Sequence, residues 1–175
     1  MPFKLNTHAV KNVAIAAVLS ASSSVFADAP LPPPAAWKTC DATISFCATM
    51  DPKQGTTVYK IEAPFLAKEI YRLPEWYRWA RISQDGKFFI TAYSGLNLVP
   101  HDVKPSQVML TIWKNGAKHK EITLGQIIKK WTSLRETASH YYWGEVTQVS
   151  KDRIYLKTVE GAVFIDLETG NVGFS

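Results

Sequence analysis

The sequence predicts a mainly β fold, an antiparallel meander forming a compact sandwich or barrel, with one short helix and blade-like hairpins. Three observations predict it. Apolar residues recur with a period of two in one short segment after another, the pattern of strands with alternating faces. Pairs such as Asp85-Gly86 and Asn115-Gly116 separate these segments. A single stretch near residue 125 clearly carries the 3.6-residue period of an amphipathic helix.

The chain of 175 residues opens with "MPFKLNTHAVKNVAIAAVLSASSSVFADAP". Lys4 and Lys11 precede a short apolar run, and no acid stands before it. Val25 and Ala27 occupy the small-residue positions of a signal-peptidase site. This order predicts a secretory signal peptide over residues 1–27, cleaved before Asp28. A membrane span needs about 20 apolar residues, and Ser20 to Ser24 interrupt the run sooner, so no membrane span is expected after cleavage. Loss of the two lysines lowers the formal net charge from +5 to +3. No lysine or arginine run forms a basic stripe, so no nucleic-acid partner is expected. Export places the protein in the periplasm or outside the cell.

Pro30, Pro32, Pro33 and Pro34 make residues 28–36 a Pro-rich tether, because proline fixes φ and offers no backbone donor. A single β-rich domain is expected over 37–175, a length that suits one core. Cys40 and Cys47 are the two cysteines of "CDATISFC". An even count in an exported chain predicts a disulfide between them. Their spacing fits neither a C-x-x-C metal site nor a haem attachment.

The strand segments are "TISFCAT", "TVYKIE", "EIYRL", "YRWARIS", "KFFITAY", "QVMLTIW", "YWGEVTQV", "RIYLKTV" and "VFIDL". In "QVMLTIW", Val108, Leu110 and Ile112 share one face, and Met109, Thr111 and Trp113 share the other. Both faces carry apolar groups, which predicts cover on both sides. Asp-Gly and Asn-Gly tolerate the positive φ of tight hairpins. Glu160-Gly161 and Thr169-Gly170 divide the last three strands in the same way.

The helix is expected from Thr123 to about Trp131. Thr123 and Gln126 have capping-box spacing, and Leu124, Ile127, Ile128 and Trp131 lie on one helical face. "APFLAKEIY" is a weaker helix candidate, with a loop leading into "EIYRL" as its alternative. A closed propeller of four blades needs about 160 residues at about 40 per blade. The mature chain is shorter and carries a helix, which favours packed sheets.

Two regions hold the candidate site residues. "ETASHYYWGE" contains His140, Tyr141 and Trp143 between Glu136 and Glu145. Histidine suits proton transfer near neutral pH, but His140 has no partner at a ligand or catalytic spacing. A structural role at the start of a strand is therefore expected for it. "LPEWYRWAR" holds Trp76 and Trp79, whose rings suit stacking on a sugar or anchoring a protein. Ser94, His140 and Asp102 can be written as a triad. However, Ser94 lacks the G-x-S-x-G elbow and the α/β sheet that goes with it. His101, His119 and His140 show no metal spacing, and no phosphate loop is present. No metal and no cofactor are expected.

"GKFFITAYSGLNLVP" and "RETASHYYWG" resemble segments of uncharacterised exported bacterial β-rich proteins with YSGLNLVP-like and SHYYWG-like motifs. The likeness runs from about Trp76 to the C-terminus. It implies no activity. It does imply that Ser94, Gly95, Asn97, His140 and Trp143 belong to one structural unit, with Asn97 and His140 closing the same end of a sheet. The expected function is an exported non-enzymatic binding module for a protein or a cell-wall glycan, with an inhibitor or immunity protein as one form. Its binding residues would be Trp76, Trp79, Asn97, His140, Tyr141 and Trp143. The alternatives are a small envelope hydrolase using His140 with Ser94 or a carboxylate, and a structural envelope component.

Overall fold

The structure is a computed structural model and describes residues 31–64 and 66–174. The expected signal peptide, residues 1–27, lies outside them, as do the first three residues of the tether. The described residues are mainly β, and every strand pairing is antiparallel.

Three four-stranded sheets follow one another along the chain. The first joins β1 (Trp37–Cys40), β2 (Phe46–Asp51), β3 (Gly55–Ala63) and β4 (Leu66–Leu73) in sequence order. The second joins β5 (Ala80–Ile82), β6 (Phe88–Ala92), β8 (Val108–Lys114) and β9 (Ala117–Thr123). The third joins β12 (Gly144–Val149), β13 (Arg153–Thr158), β14 (Gly161–Asp166) and β15 (Val172–Phe174). Between β6 and β8 the chain leaves the second sheet. There β7 (Leu98–Pro100) pairs with β11 (His140–Tyr142), which pairs with β10 (Arg135–Glu136).

The turn chemistry places the hairpins as the sequence requires. Asn115 and Gly116 both have positive φ, 51° and 82°, as the tight turn joining β8 to β9 demands. Cys40 lies directly opposite Cys47 in the β1–β2 ladder, and the two form a disulfide. Within the loop they enclose, Asp41 accepts the N–H of Thr43 at 2.8 Å and of Phe46 at 2.7 Å.

The second sheet is covered on both faces, as the double apolar pattern of β8 predicts. On one side Ala80, Ile82 and Phe89 pack with Ala48, Met50, Val58 and Leu73 of the first sheet, and Trp113 lies against them. On the other side Phe88, Ile90, Leu110, Ile112 and Ile122 pack with Ile154, Leu156, Val163 and Ile165 of the third. Neighbours on one strand thus serve different cores: Phe89 faces one and Ile90 the other. Met109 departs from the expected alternation and buries with Leu110, because the register of β8 against β9 shifts between Val108 and Leu110.

Three local expectations need correction. The α-helix, α1, spans only Leu124–Ile127. Gln126 Oε1 accepts the Thr123 N–H at 2.8 Å, so the start is as expected. The end comes early because Glu160, in the β13–β14 turn, takes the N–H groups of Lys129 and Lys130. Those donors would otherwise continue the helix. Ile127 and Ile128 are buried, while Trp131 begins a separate 3-10 turn over Trp131–Ser133 and is 37% exposed. In "APFLAKEIY" the described residues form no helix: Ala63 ends β3, and the segment from Leu66 belongs to β4, an edge strand with Leu66 and Ile70 exposed. Finally, "YRWARIS" becomes a strand only at Ala80, since Trp76 to Trp79 run irregularly after Pro74.

Candidate binding cleft

The cleft begins where β6 ends. After Ala92 the chain folds back through a turn closed by Leu96 N–H to the Tyr93 carbonyl, 2.9 Å, and Leu98 N–H to the Gly95 carbonyl, 3.1 Å. Leu96 sits at φ 58°. Trp143 clamps this turn from across the molecule. Its indole Nε1–H donates to the Leu96 carbonyl at 2.8 Å, and its backbone N–H donates to the Asn97 carbonyl at 3.2 Å. "YSGLN" and "YYWG" are therefore one interlocked unit.

Gly144 follows at φ 151° and carries the chain from the small sheet into the third sheet. A Cβ at this position would lie 2.6 Å from the Lys157 carbonyl oxygen, so no side chain fits. The next residues, Glu145 and Val146, lie on β12, an edge strand of its sheet. Opposite stands Trp79, whose carbonyl accepts the Ala92 N–H at 3.4 Å. The Arg81 guanidinium lies over its ring, 4.9 Å from the centroid.

Trp79, Ala92, Leu96, Asn97, Trp143 and the strand from Gly144 to Val146 enclose a cleft of about 220 Å³. Of the two lining indoles, Trp143 is buried and Trp79 is half-buried. The lining combines indole surface with one amide and one carboxylate. Such a set gives an apolar face for stacking and a few polar groups for orientation.

Of the six expected binding residues, the structure brings Trp79, Asn97 and Trp143 together here. His140 and Tyr141 stand on the adjoining small sheet. His140 pairs with Pro100 and Tyr142 with Leu98. Asn97 and His140 thus flank opposite ends of the β7–β11 ladder instead of closing one end, because the antiparallel register sets Asn97 beside Trp143. The His140 ring holds Ser139 Oγ through Nδ1 at 2.8 Å. Its carbonyl accepts from Thr137 N–H at 2.8 Å and from His101 Nε2 at 3.0 Å. Tyr141 packs on the His101 ring, with centroids 4.6 Å apart. These bonds fix the loop that precedes the strand. Ser94 is exposed on the Tyr93–Leu98 turn, and Asp102 is exposed in the turn after β7. Trp76 lies apart from the cleft, against the core shared by the first two sheets.

Glu145 is the charged cleft residue that the sequence does not single out as a binding residue. It ends the "ETASHYYWGE" run. Its place in the cleft depends on the turn of the chain at Gly144, which residue types alone do not reveal.

Among the described residues, no three His, Cys, Asp or Glu side chains gather to hold a metal ion. No described helix is long and apolar enough to cross a membrane. Compared with known protein families, curated proteins and solved structures, the chain matches none of them.

Proposed function

We propose that this is an exported, periplasmic binding module that holds a saccharide of the cell envelope in the Trp79–Trp143 cleft, without catalysing a reaction on it. The observation that carries the reading is the meeting of two indoles with the Asn97 amide and the Glu145 carboxylate in one small cleft. A sugar ring presents apolar C–H groups on its face and hydroxyls at its rim. Trp79 would stack on the first, and Asn97 and Glu145 would bind the second. The Cys40–Cys47 disulfide agrees with an oxidising compartment.

Soluble β-1,4-linked N-acetylglucosamine oligomers, titrated against tryptophan fluorescence, test this reading. Binding is expected, and Trp79→Ala should weaken it by about tenfold or more, the usual effect of removing an aromatic anchor. No response to the oligomers, or equal affinity in the variant, would overturn it.

A protein partner is the second reading. It is favoured by Ile44, Leu66 and Ile70, which are 64%, 56% and 45% exposed on the first sheet and its disulfide loop.

A further inference from the structure

The tether does not hang free. Residues 31–36 have no regular secondary structure and are exposed, yet two side chains from the "EWYRW" segment hold their carbonyls. Trp76 Nε1–H donates to the Ala35 carbonyl at 2.9 Å. Arg78 Nη1 donates to the Pro32 carbonyl at 2.7 Å. The next residue, Trp37, returns its own indole N–H to the Tyr77 carbonyl at 2.8 Å. The two sides therefore clasp each other.

The spacing carries the meaning. Pro32 and Ala35 are three residues apart, and polyproline II has three residues per turn. In that conformation both carbonyls point to the same side. Pro32, Pro33 and Pro34 favour it, because each ring fixes φ and removes an N–H. The three prolines leave only carbonyls to recognise, and the Trp76 and Arg78 side chains donate to the carbonyls of Ala35 and Pro32. The donors are also fixed as a unit: the Arg78 guanidinium lies over the Trp76 ring, 5.3 Å from its centroid. An aromatic surface with donors to carbonyls one turn apart is how proline-rich segments are bound in general. The Arg78 bond is charge-assisted and is the stronger of the two.

We propose that the Trp76–Arg78 shelf is a binding site for a proline-rich segment in polyproline II form, filled in the resting molecule by the chain's own residues 32–35. Its ligand class is a peptide with carbonyls three residues apart on a proline run. The tether is linked to the shelf, so its effective concentration is high. It occupies the site until a competing proline-rich segment of a partner displaces it. The shelf is separate from the saccharide cleft, and the two readings stand or fall independently.

The test uses the full mature chain, labelled with ¹⁵N, and the indole N–H signal of Trp76, assigned by its loss in Trp76→Phe. A variant carrying Pro32→Gly, Pro33→Gly and Pro34→Gly loosens the tether without touching the core. Its Trp76 signal should move away from the wild-type position. Added acetyl-LPPPAA-amide should return it, dose by dose, while acetyl-LGGGAA-amide should not. Wild-type protein should respond to the proline peptide only at much higher concentration, because the linked tether competes with it, and should not respond to the glycine peptide. Adding Arg78→Ala to the glycine variant should weaken the response by about fivefold or more, the effect of one lost hydrogen bond. An unmoved signal in the glycine variant, no response there to the proline peptide, or an equal response to both peptides would overturn the proposal. The rest of the spectrum reports that each variant is folded.

Discussion

Gly144 stands at the one position where the small sheet hands the chain to the third sheet. Its φ of 151° is outside the range that residues with a Cβ adopt readily. The missing side chain also leaves room for the Lys157 carbonyl. Gly144→Ala should therefore destabilise the protein by at least about 1–3 kcal/mol, the cost of the strained backbone alone. Denaturant melts would check it, and a loss within noise would show that the junction relaxes. The same residue shows what single positions reveal. Asn115-Gly116 is legible as a hairpin because its conformational demand is satisfied within the pair. Gly144 reads only as one more strand glycine, since the carbonyl that excludes a side chain lies thirteen residues away.

Among the elements, α1 shows how the two kinds of information combine. Its start was legible from Thr123 and Gln126, and its buried face from Leu124, Ile127 and Ile128. Its end was not, because Glu160 stops it from a distant turn. Ile128→Ala should cost about 2–4 kcal/mol, since Ile128 is buried with the core of the second and third sheets. Trp131→Ala should cost clearly less, because its side chain leaves the helical face and reaches solvent. Equal losses in the two variants would place Trp131 back in the core. The strands were legible from their alternation, and β8 even announced its two covered faces. β1, β7 and β10 were missed: each is four residues or fewer, too short to display a period. The cleft was half legible for a related reason. Its aromatic residues stand out by type, but their convergence depends on how β7 and β11 pair.

For the molecule as a whole, several carboxylates tie loops and turns together and respond alike to acid. Burial alone would raise the Asp41 pKa, but hydrogen bonds from the Thr43 side chain and from the N–H groups of Phe46, Thr43 and Ser45 hold it below its ordinary value. Asp166 is lowered by the Thr169 N–H and hydroxyl. Burial also acts to raise Glu160, and the Lys129 and Lys130 N–H groups outweigh it. Hydrogen bonds from Lys114 and then Lys87 bring Glu168 down to about 2, joining the last hairpin to the second sheet. A carboxylate whose folded pKa is depressed contributes its full stability above the ordinary carboxylate range. That contribution fades as pH falls through the folded value. The melting temperature should thus drop steadily between about pH 5 and about pH 2.5, and Glu168→Gln should flatten the lower part of that fall. A melting temperature independent of pH across this interval would refute the role of these groups.

The strand order also sets a sequence of events in folding. Nearly every strand pairs with its neighbour along the chain, so each meander closes through short loops at small entropic cost. The pairings of β6 with β8 and of β7 with β11 are the exceptions, and the second joins residues about forty positions apart. It closes the longest loop of any strand pairing among the described residues, so it carries the highest closure entropy. Until it forms nothing clamps the Leu96–Asn97 turn, and the walls of the cleft have no fixed separation. The cleft is accordingly expected to form late in folding, because its walls depend on the strand pairing with the greatest sequence separation.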